Sequence, residues 1–136
     1  MHIGLYTAAF HSLPFEAALD RAAGLGVSAV ELSTGGYAGN PHCPLDALLA
    51  SPARRDDYLG ALAARGLLLS ALTCHCNVLS PDPAEAEAAE RQIGQTLQLA
   101  WQLGVPAINL LSGLPAGAPG DTTPNWITCP WPQHFL

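Results

Sequence analysis

The sequence predicts an α/β protein built of parallel βα repeats, and three observations predict it. The segments Gly26-Val-Ser-Ala-Val-Glu-Leu32, Gly66-Leu-Leu-Leu-Ser-Ala-Leu72 and Gly104-Val-Pro-Ala-Ile-Asn-Leu110 each run from a glycine through apolar residues to a leucine, and their glycines stand 40 and 38 residues apart. Each follows a stretch with helical spacing. Each is followed at once by small or polar residues: Ser33-Thr34-Gly35, Thr73-Cys74-His75 and Ser112-Gly113. Helix, glycine cap, short buried strand and polar loop, repeated, is the pattern of a parallel sheet covered by helices. Such folds place chemistry beyond the carboxyl ends of the strands, so the functional candidates are the residues after each leucine.

Each element has its own signal. Residues 2–6 read as a first strand. Pro14 opens a helix in which Phe15, Ala18, Leu19 and Ala22 form one apolar stripe, ended by Gly24 or Gly26. A second strand is expected at about 28–32, and a long loop at 33–44 carrying Gly35-Gly36-Tyr37 and Pro41-His42-Cys43-Pro44. Ser51-Pro52 is an N-cap with proline at the first helical position, opening a helix to about Arg65 with Tyr58, Leu59, Leu62 and Ala63 inward. A third strand follows at about 67–72. Asp82-Pro-Ala-Glu85 reads as a variant capping box, with carboxylates where the helix dipole favours them. The long helix behind it carries Ala86, Ala89, Ile93, Leu97 and Ala100 at spacings of three and four and stops at Gly104. A fourth strand is expected at about 106–111, with Pro106 at its first position, where no ladder donor is needed. From Ser112 the periodicity ends, and 113–136 reads as a long loop rich in proline.

Composition narrows the function classes. At 136 residues the chain is one domain's worth. The net charge is −6, with five arginines and no lysine, which argues against nucleic acid as a partner, because that binding needs several cations to displace phosphate counterions. No apolar run approaches the roughly 20 residues of a membrane helix. The opening Met-His-Ile-Gly-Leu-Tyr lacks the basic region and apolar core of a secretory signal, so a cytoplasmic location is expected. The four cysteines are accordingly expected as thiols. No Gly-x-Gly-x-x-Gly follows the first strand, so a dinucleotide fold has no support. Four strands are too few for a closed parallel barrel, leaving a small open sheet or the front half of a barrel.

Four pieces of the chain resemble a family: Ile3-Gly-Leu-Tyr-Thr7, Ala29-Val-Glu-Leu-Ser-Thr-Gly-Gly36, Ser70-Ala-Leu-Thr-Cys-His-Cys-Asn77 followed by Pro81, and Asp121-x-x-Pro-Asn-Trp126. Together they are similar to the sugar phosphate isomerase/epimerase group of the xylose-isomerase-like superfamily, which also contains the endonuclease IV type of DNA-repair enzyme. The resemblance implies the N-terminal half of a (β/α)8 TIM-type barrel: about four strands and three helices in a single partial domain over 1–136, ending before the second half. It also implies divalent-metal-assisted isomerisation or epimerisation of a sugar or polyol. A cation (Mn, Mg, Co or Zn) polarises the substrate and a carboxylate moves a proton beside it. The family's main metal ligands come mostly from second-half strands, which this chain does not contain. The DNA-repair alternative predicts several histidines at strand ends. Here Ser112-Gly113 follows the fourth strand, and the next histidine is His134. A third expectation is a non-catalytic half-barrel that forms a homo-oligomer through its open sheet edges.

His75 is the leading catalytic candidate. It follows the third strand at the rim, where an imidazole would bond a substrate hydroxyl or complete a metal shell; otherwise it orders its own loop. No metal ligand is firmly assigned in this chain, and His75 is the candidate for the family's cation. Glu31, the second catalytic candidate, lies at the expected tip of strand two between Val30 and Leu32. It points into the pocket as acid, base or anchor, or caps the Thr34-Gly35-Gly36 loop through backbone N–H groups. Asn77 contacts substrate or makes an Asx turn ahead of Ser80-Pro81. Trp126, by resemblance, stacks on a sugar face; otherwise Trp126 and Trp131 fill core. Gly35 and Gly36 are candidate substrate contacts through backbone amides, or a simple turn. Cys74 and Cys76, with His42, Cys43 and Cys129, raise a zinc reading. No Cys-x-x-Cys pair is present, and an extended Cys-His-Cys points alternate side chains apart, so buried thiols fit better.

Overall fold

The computed structural model of the chain describes residues 2–125. Its elements, in order, are β1 (Gly4–Tyr6), a 3-10 turn (Thr7–Phe10), α1 (Phe15–Gly24), β2 (Ala29–Gly36), α2 (Leu45–Ala50), α3 (Pro52–Ala63), β3 (Leu68–His75), α4 (Pro83–Leu103) and β4 (Ile108–Leu110). The strands form one sheet in the order β1-β2-β3-β4, and every pairing is parallel. The α/β repeat is therefore as expected, with each helix crossing from one strand to its neighbour.

The repeat works because of its glycines. Gly26, Gly66 and Gly104 all take positive φ (78°, 66° and 68°), the left-handed conformation that ends a helix and that a side chain resists. The caps at the other ends also follow the residues. Ser51 Oγ accepts from the Arg54 N–H at 3.3 Å, with Pro52 in the first turn of α3. Asp82 Oδ1 accepts from the Ala84 N–H at 2.9 Å, with Pro83 opening α4. The expected capping box is modified: Ser80 Oγ donates to Glu85 Oε2 at 2.6 Å and accepts from the Asp82 N–H at 3.3 Å, so the serine relays what the glutamate would do directly.

Three boundaries differ from expectation. β2 runs on to Gly36 and β3 to His75, through residues that look like loop. The reason is that their hydroxyls find partners on β3, on α4 and in the turn just past β2. Thr34 Oγ1 donates to the Thr73 carbonyl at 3.0 Å and lies 2.8 Å from Thr96 Oγ1 of α4; Ser33 Oγ donates to the Gly39 carbonyl at 2.6 Å. The segment before Ser51 forms a separate short helix, α2, whose Leu45 and Leu48 are buried. On α4 the apolar stripe passes through Thr96, Leu99, Ala100 and Leu103 and leaves Leu97 55% exposed. A buried threonine occupies the slot that hydrophobicity alone assigns to the leucine. On α3, Tyr58 and Leu62 are buried as expected while Ala63 is exposed.

The core lies between the sheet and its helices. Leu19 of α1, Val30 and Leu32 of β2, Leu62 of α3, Leu72 of β3 and Leu99 of α4 are buried in one cluster. Fully burying such a side chain contributes about 1.5–3 kcal/mol. Arg65, just past α3, reaches both Glu16 and Asp20 of α1 at 2.6 Å and ties the two helices at the surface. No helix among the described residues is long and apolar enough to cross a membrane.

Because side chains alternate along a strand, the other face of the sheet carries Glu31 on β2, Thr73 and His75 on β3, and Asn109 on β4. Among the described residues no helix covers that face, and β2 meets β3 with irregularities at Val30/Glu31 and Ser33/Gly35, which re-aim side chains near the strand ends.

Candidate functional site

The open face of the sheet gathers polar groups from all four strands. Glu31 Oε1 accepts the Thr73 hydroxyl of β3 and, at 2.9 Å, the Asn109 side-chain amide of β4. The carboxylate does not cap the Thr34-Gly35-Gly36 segment. It is also not at a strand tip: β2 continues to Gly36, so Glu31 is its third residue, part-way down the open face. Two donors on one oxygen hold the half-buried carboxylate in a single orientation.

Tyr6, the last residue of β1, stands beside Glu31 in register, and its ring meets the His75 ring edge-on, with centroids 6.3 Å apart and planes at 72°. Tyr6 thus links the two candidates. Its hydroxyl oxygen is buried and has no hydrogen-bond partner among the described residues. A buried hydroxyl left unpaired costs about 1–3 kcal/mol, so this orphan needs an explanation. The ring of half-buried His75 makes no hydrogen bond to another described residue, while its backbone carbonyl accepts the Tyr37 N–H at 3.1 Å.

At the carboxyl ends of β2 and β3 a cavity of about 250 Å³ opens between the sheet and α4, bordered by Gly36, Tyr37, His75, Cys76, Asn77 and Glu85. Burial, Glu85 and Cys76, in that order, raise the Tyr37 phenol above its ordinary 10.0. Gly36 (φ 75°) pairs with His75 in the ladder, and a Cβ there would run into the His75 carbonyl; at Gly35 it would run into the Gln92 amide. Both glycines belong to the strand, where backbone meets backbone and side chain closely. Asn77 makes the Asx turn: its Oδ1 accepts from the Leu79 N–H at 3.2 Å. The same oxygen accepts from the Leu114 N–H at 2.7 Å, and Nδ2 donates to the Leu114 carbonyl at 3.0 Å, so the side chain pins the segment after β4 to the end of β3.

A larger cavity, about 440 Å³, lies on the helix side, between α1 and α3, where Phe15 and Tyr58 stack with centroids 4.6 Å apart. It is remote from the strand ends and holds none of the candidates. His42 is structural: Nδ1 lies 3.1 Å from Thr7 Oγ1 and Nε2 2.9 Å from the Leu13 carbonyl, so both ring nitrogens are occupied. Cys43 is a buried free thiol, and burial pushes it up to about 12.

Cys74 and Cys76 face the helices, opposite His75, and are also free thiols, with their sulfurs 3.4 Å apart. Together with Ala89 of α4 they form a small second core. The Cys76 thiol, bonded to Cys74, lowers Cys74 to about 6, while the same partner and burial raise Cys76: the pair gives up its first proton readily and keeps its second. Among the described residues no three His, Cys, Asp or Glu side chains converge as a metal site, so these residues do not by themselves fit the cation expected from the resemblance. Trp126, with Cys129, Trp131 and His134, lies outside the described residues.

The sequence motifs single out His75 and Glu31 but not Tyr6, Thr73 and Asn109, which the structure sets beside them. Asn109 had a signal: it occupies the same sixth position of its repeat that Glu31 occupies in the first. Tyr6 had none beyond closing the first strand.

Comparison with known proteins agrees with the fold. A family model described as xylose isomerase-like TIM barrel matches residues 19–128. The chain is 43% identical over 135 residues to the uncharacterized protein YfiH of Bacillus subtilis (strain 168), covering 97% of this chain and 42% of that one. It therefore spans about two fifths of that relative's length. Two solved structures share the fold. A crystal structure of D-psicose 3-epimerase in the presence of D-fructose superposes with a TM-score of 0.55 at 19% identity, over 81% of this chain and 37% of that one. A xylose isomerase-like TIM barrel/4-hydroxyphenylpyruvate dioxygenase fusion protein gives 0.58 at 16% identity, over 89% and 18%.

Proposed function

Because the chain belongs to the xylose isomerase-like TIM barrel family, we propose that it forms the N-terminal half of a sugar isomerase or epimerase barrel. Its open sheet face binds a sugar or polyol, and Glu31 moves a proton there. The observation that carries this reading is the buried Tyr6 hydroxyl, without a partner among the described residues, on the strand that pairs with Glu31 and whose ring meets His75. A polyhydroxylated ligand supplies the missing hydrogen bond. The D-psicose 3-epimerase of like fold, crystallised with D-fructose, makes a ketohexose the first ligand to try.

In this reading each group has a task. Thr73 and Asn109 fix the Glu31 carboxylate, so that it meets the C–H beside a substrate carbonyl in one orientation, as a general base must. The His75 imidazole bonds a substrate oxygen and holds the carbonyl in line. Gly36 and Asn77 border the adjoining cavity at the strand ends, and Gly35 lets the strand pass under Gln92. Trp126 is proposed to cover the sugar. The family is generally metal-dependent. The residues described do not fit a metal centre alone, so a cation would take its ligands chiefly from outside them, with His75 as the contributor among the described residues.

Saturation-transfer NMR tests the reading with D-fructose, D-psicose and a polyol of equal size. Millimolar binding, about −4 kcal/mol, is expected for at least one of them, lost in Tyr6→Phe and weakened in His75→Ala. Failure of every ketose and polyol to bind, or equal binding by Tyr6→Phe, would refute it.

A further inference from the structure

Cys74 and Cys76 take no part in the proposed binding face, yet their arrangement is chemically specific. They occupy alternate positions at the end of β3, so both point to the α4 side. Their sulfurs are 3.4 Å apart. Cys76 Sγ donates to Gln92 Oε1 at 3.2 Å, and Gln92 Nε2 in turn donates to the Thr34 carbonyl at 3.2 Å. Cys43, by contrast, sits in the main core and belongs to a different cluster.

We propose that Cys74 and Cys76 are a redox pair, a modification site at which a small hydroperoxide converts the two thiols to an intramolecular disulfide. Access is through the cavity of about 250 Å³ that Cys76 borders. A water molecule's share of liquid is about 30 Å³, so a small peroxide enters without displacing the fold. One sulfur of the pair, as its thiolate, attacks the peroxide oxygen; the O–O bond breaks, an alcohol or water leaves, and that cysteine becomes a sulfenic acid. The other sulfur then attacks the sulfenic sulfur, forming S–S and releasing water. Two thiols and one hydroperoxide give one disulfide, one alcohol and one water, and the peroxide is the electron acceptor. A later thiol, such as dithiothreitol, reverses the change by exchange.

Geometry permits closure at a local cost. A disulfide needs about 2.05 Å between sulfurs and Cα atoms roughly 4.4–6.8 Å apart, and residues two apart on a strand are separated by about 6.6 Å. That separation lies at the upper end of the range, and drawing the sulfurs together from 3.4 Å shifts the chain at the residue between the cysteines, which is His75. Closure also removes the Cys76 donor from Gln92. Oxidation thus moves the imidazole at the cavity edge. The consequence for substrate rests on the proposed function, whereas the disulfide itself does not.

The test uses the full chain with Cys129→Ser, which removes the cysteine outside the described residues. The protein is treated with hydrogen peroxide, alkylated and mapped by peptide mass. A peptide holding both Cys74 and Cys76 that has lost two hydrogens and takes no alkyl label, restored by dithiothreitol, is expected. Cys76→Ser should instead leave Cys74 open to label. A second readout, the ring NMR signals of His75, should shift on oxidation in the parent and stay fixed in Cys76→Ser. Recovery of both cysteines as separately labelled or separately over-oxidised thiols, or oxidation of Cys43 alone, overturns the proposal. Neither readout needs catalysis, so this result is independent of whether a sugar binds.

Discussion

At the scale of single residues, the site depends on side chains whose hydrogen bonds are either complete or conspicuously not. Asn77 is the complete case: only 2% exposed, it makes three bonds, two of them to the Leu114 backbone. Truncating it strands a buried donor and acceptor as well as losing the turn. Asn77→Ala is therefore expected to lower unfolding stability by about 2–3 kcal/mol, read by urea melts, while Asn77→Asp retains the Oδ1 bonds and loses less. Equal melts for Asn77→Ala and the parent would mean that the bonds are worth nothing. Tyr6 is the incomplete case, and it was invisible in the sequence. Nothing in Ile3-Gly-Leu-Tyr-Thr7 tells that the tyrosine's hydroxyl is buried without a partner, because that depends on which strand lies beside β1. His75 and Glu31 were legible from short motifs that also fixed their neighbours. The partners of Glu31 were not, since Thr73 and Asn109 come from two other strands whose register no local pattern encodes.

At the scale of elements, the caps and glycine stops were readable because they are local chemistry: Ser51-Pro52, Asp82-Pro83 and the positive-φ glycines act within one turn. The ends of β2 and β3 were not. Ser33, Thr34 and Thr73 look like loop residues until the Gly39 carbonyl, the Thr73 carbonyl and the Glu31 carboxylate accept their hydroxyls, with Thr34 also in hydrogen-bond contact with Thr96 of α4. The same threonine displaced Leu97 from the expected stripe. One element-level contact is testable by pH. Arg65 bonds Asp20 and Glu16, joining the end of α3 to α1, and its hydrogen bond holds Asp20 below its ordinary 3.8. A carboxylate whose folded pKa is depressed adds stability fully above the unfolded value, and that contribution fades as pH falls through the lower folded one. Arg65→Gln should therefore reduce the melting temperature near neutral pH and leave little difference from the parent at pH below the folded value. A difference that grew on acidification would contradict this assignment. Both carboxylates are exposed, so salt should shrink the effect.

At the scale of the whole molecule, four parallel strands in sequential order carry helices on one side only. The covered side holds the core, and the uncovered side holds Tyr6, Glu31, Thr73, His75 and Asn109. This division was partly foreseeable: the repeat announced parallel strands and the motifs announced a half-barrel. The polar row across the open face appears only once the register is set. The proposed ligand binds that face, and not the larger cavity between α1 and α3 around Phe15 and Tyr58. Site-resolved NMR of the isotope-labelled chain, titrated with D-fructose, D-psicose and a matched polyol, tests this most directly. Shifts gathered on Tyr6, Glu31, Thr73, His75 and Asn109, with Phe15, Tyr58 and Leu99 unmoved, are the predicted outcome. Shifts centred on Phe15 and Tyr58, or none at Tyr6 and His75 at saturation, would contradict it.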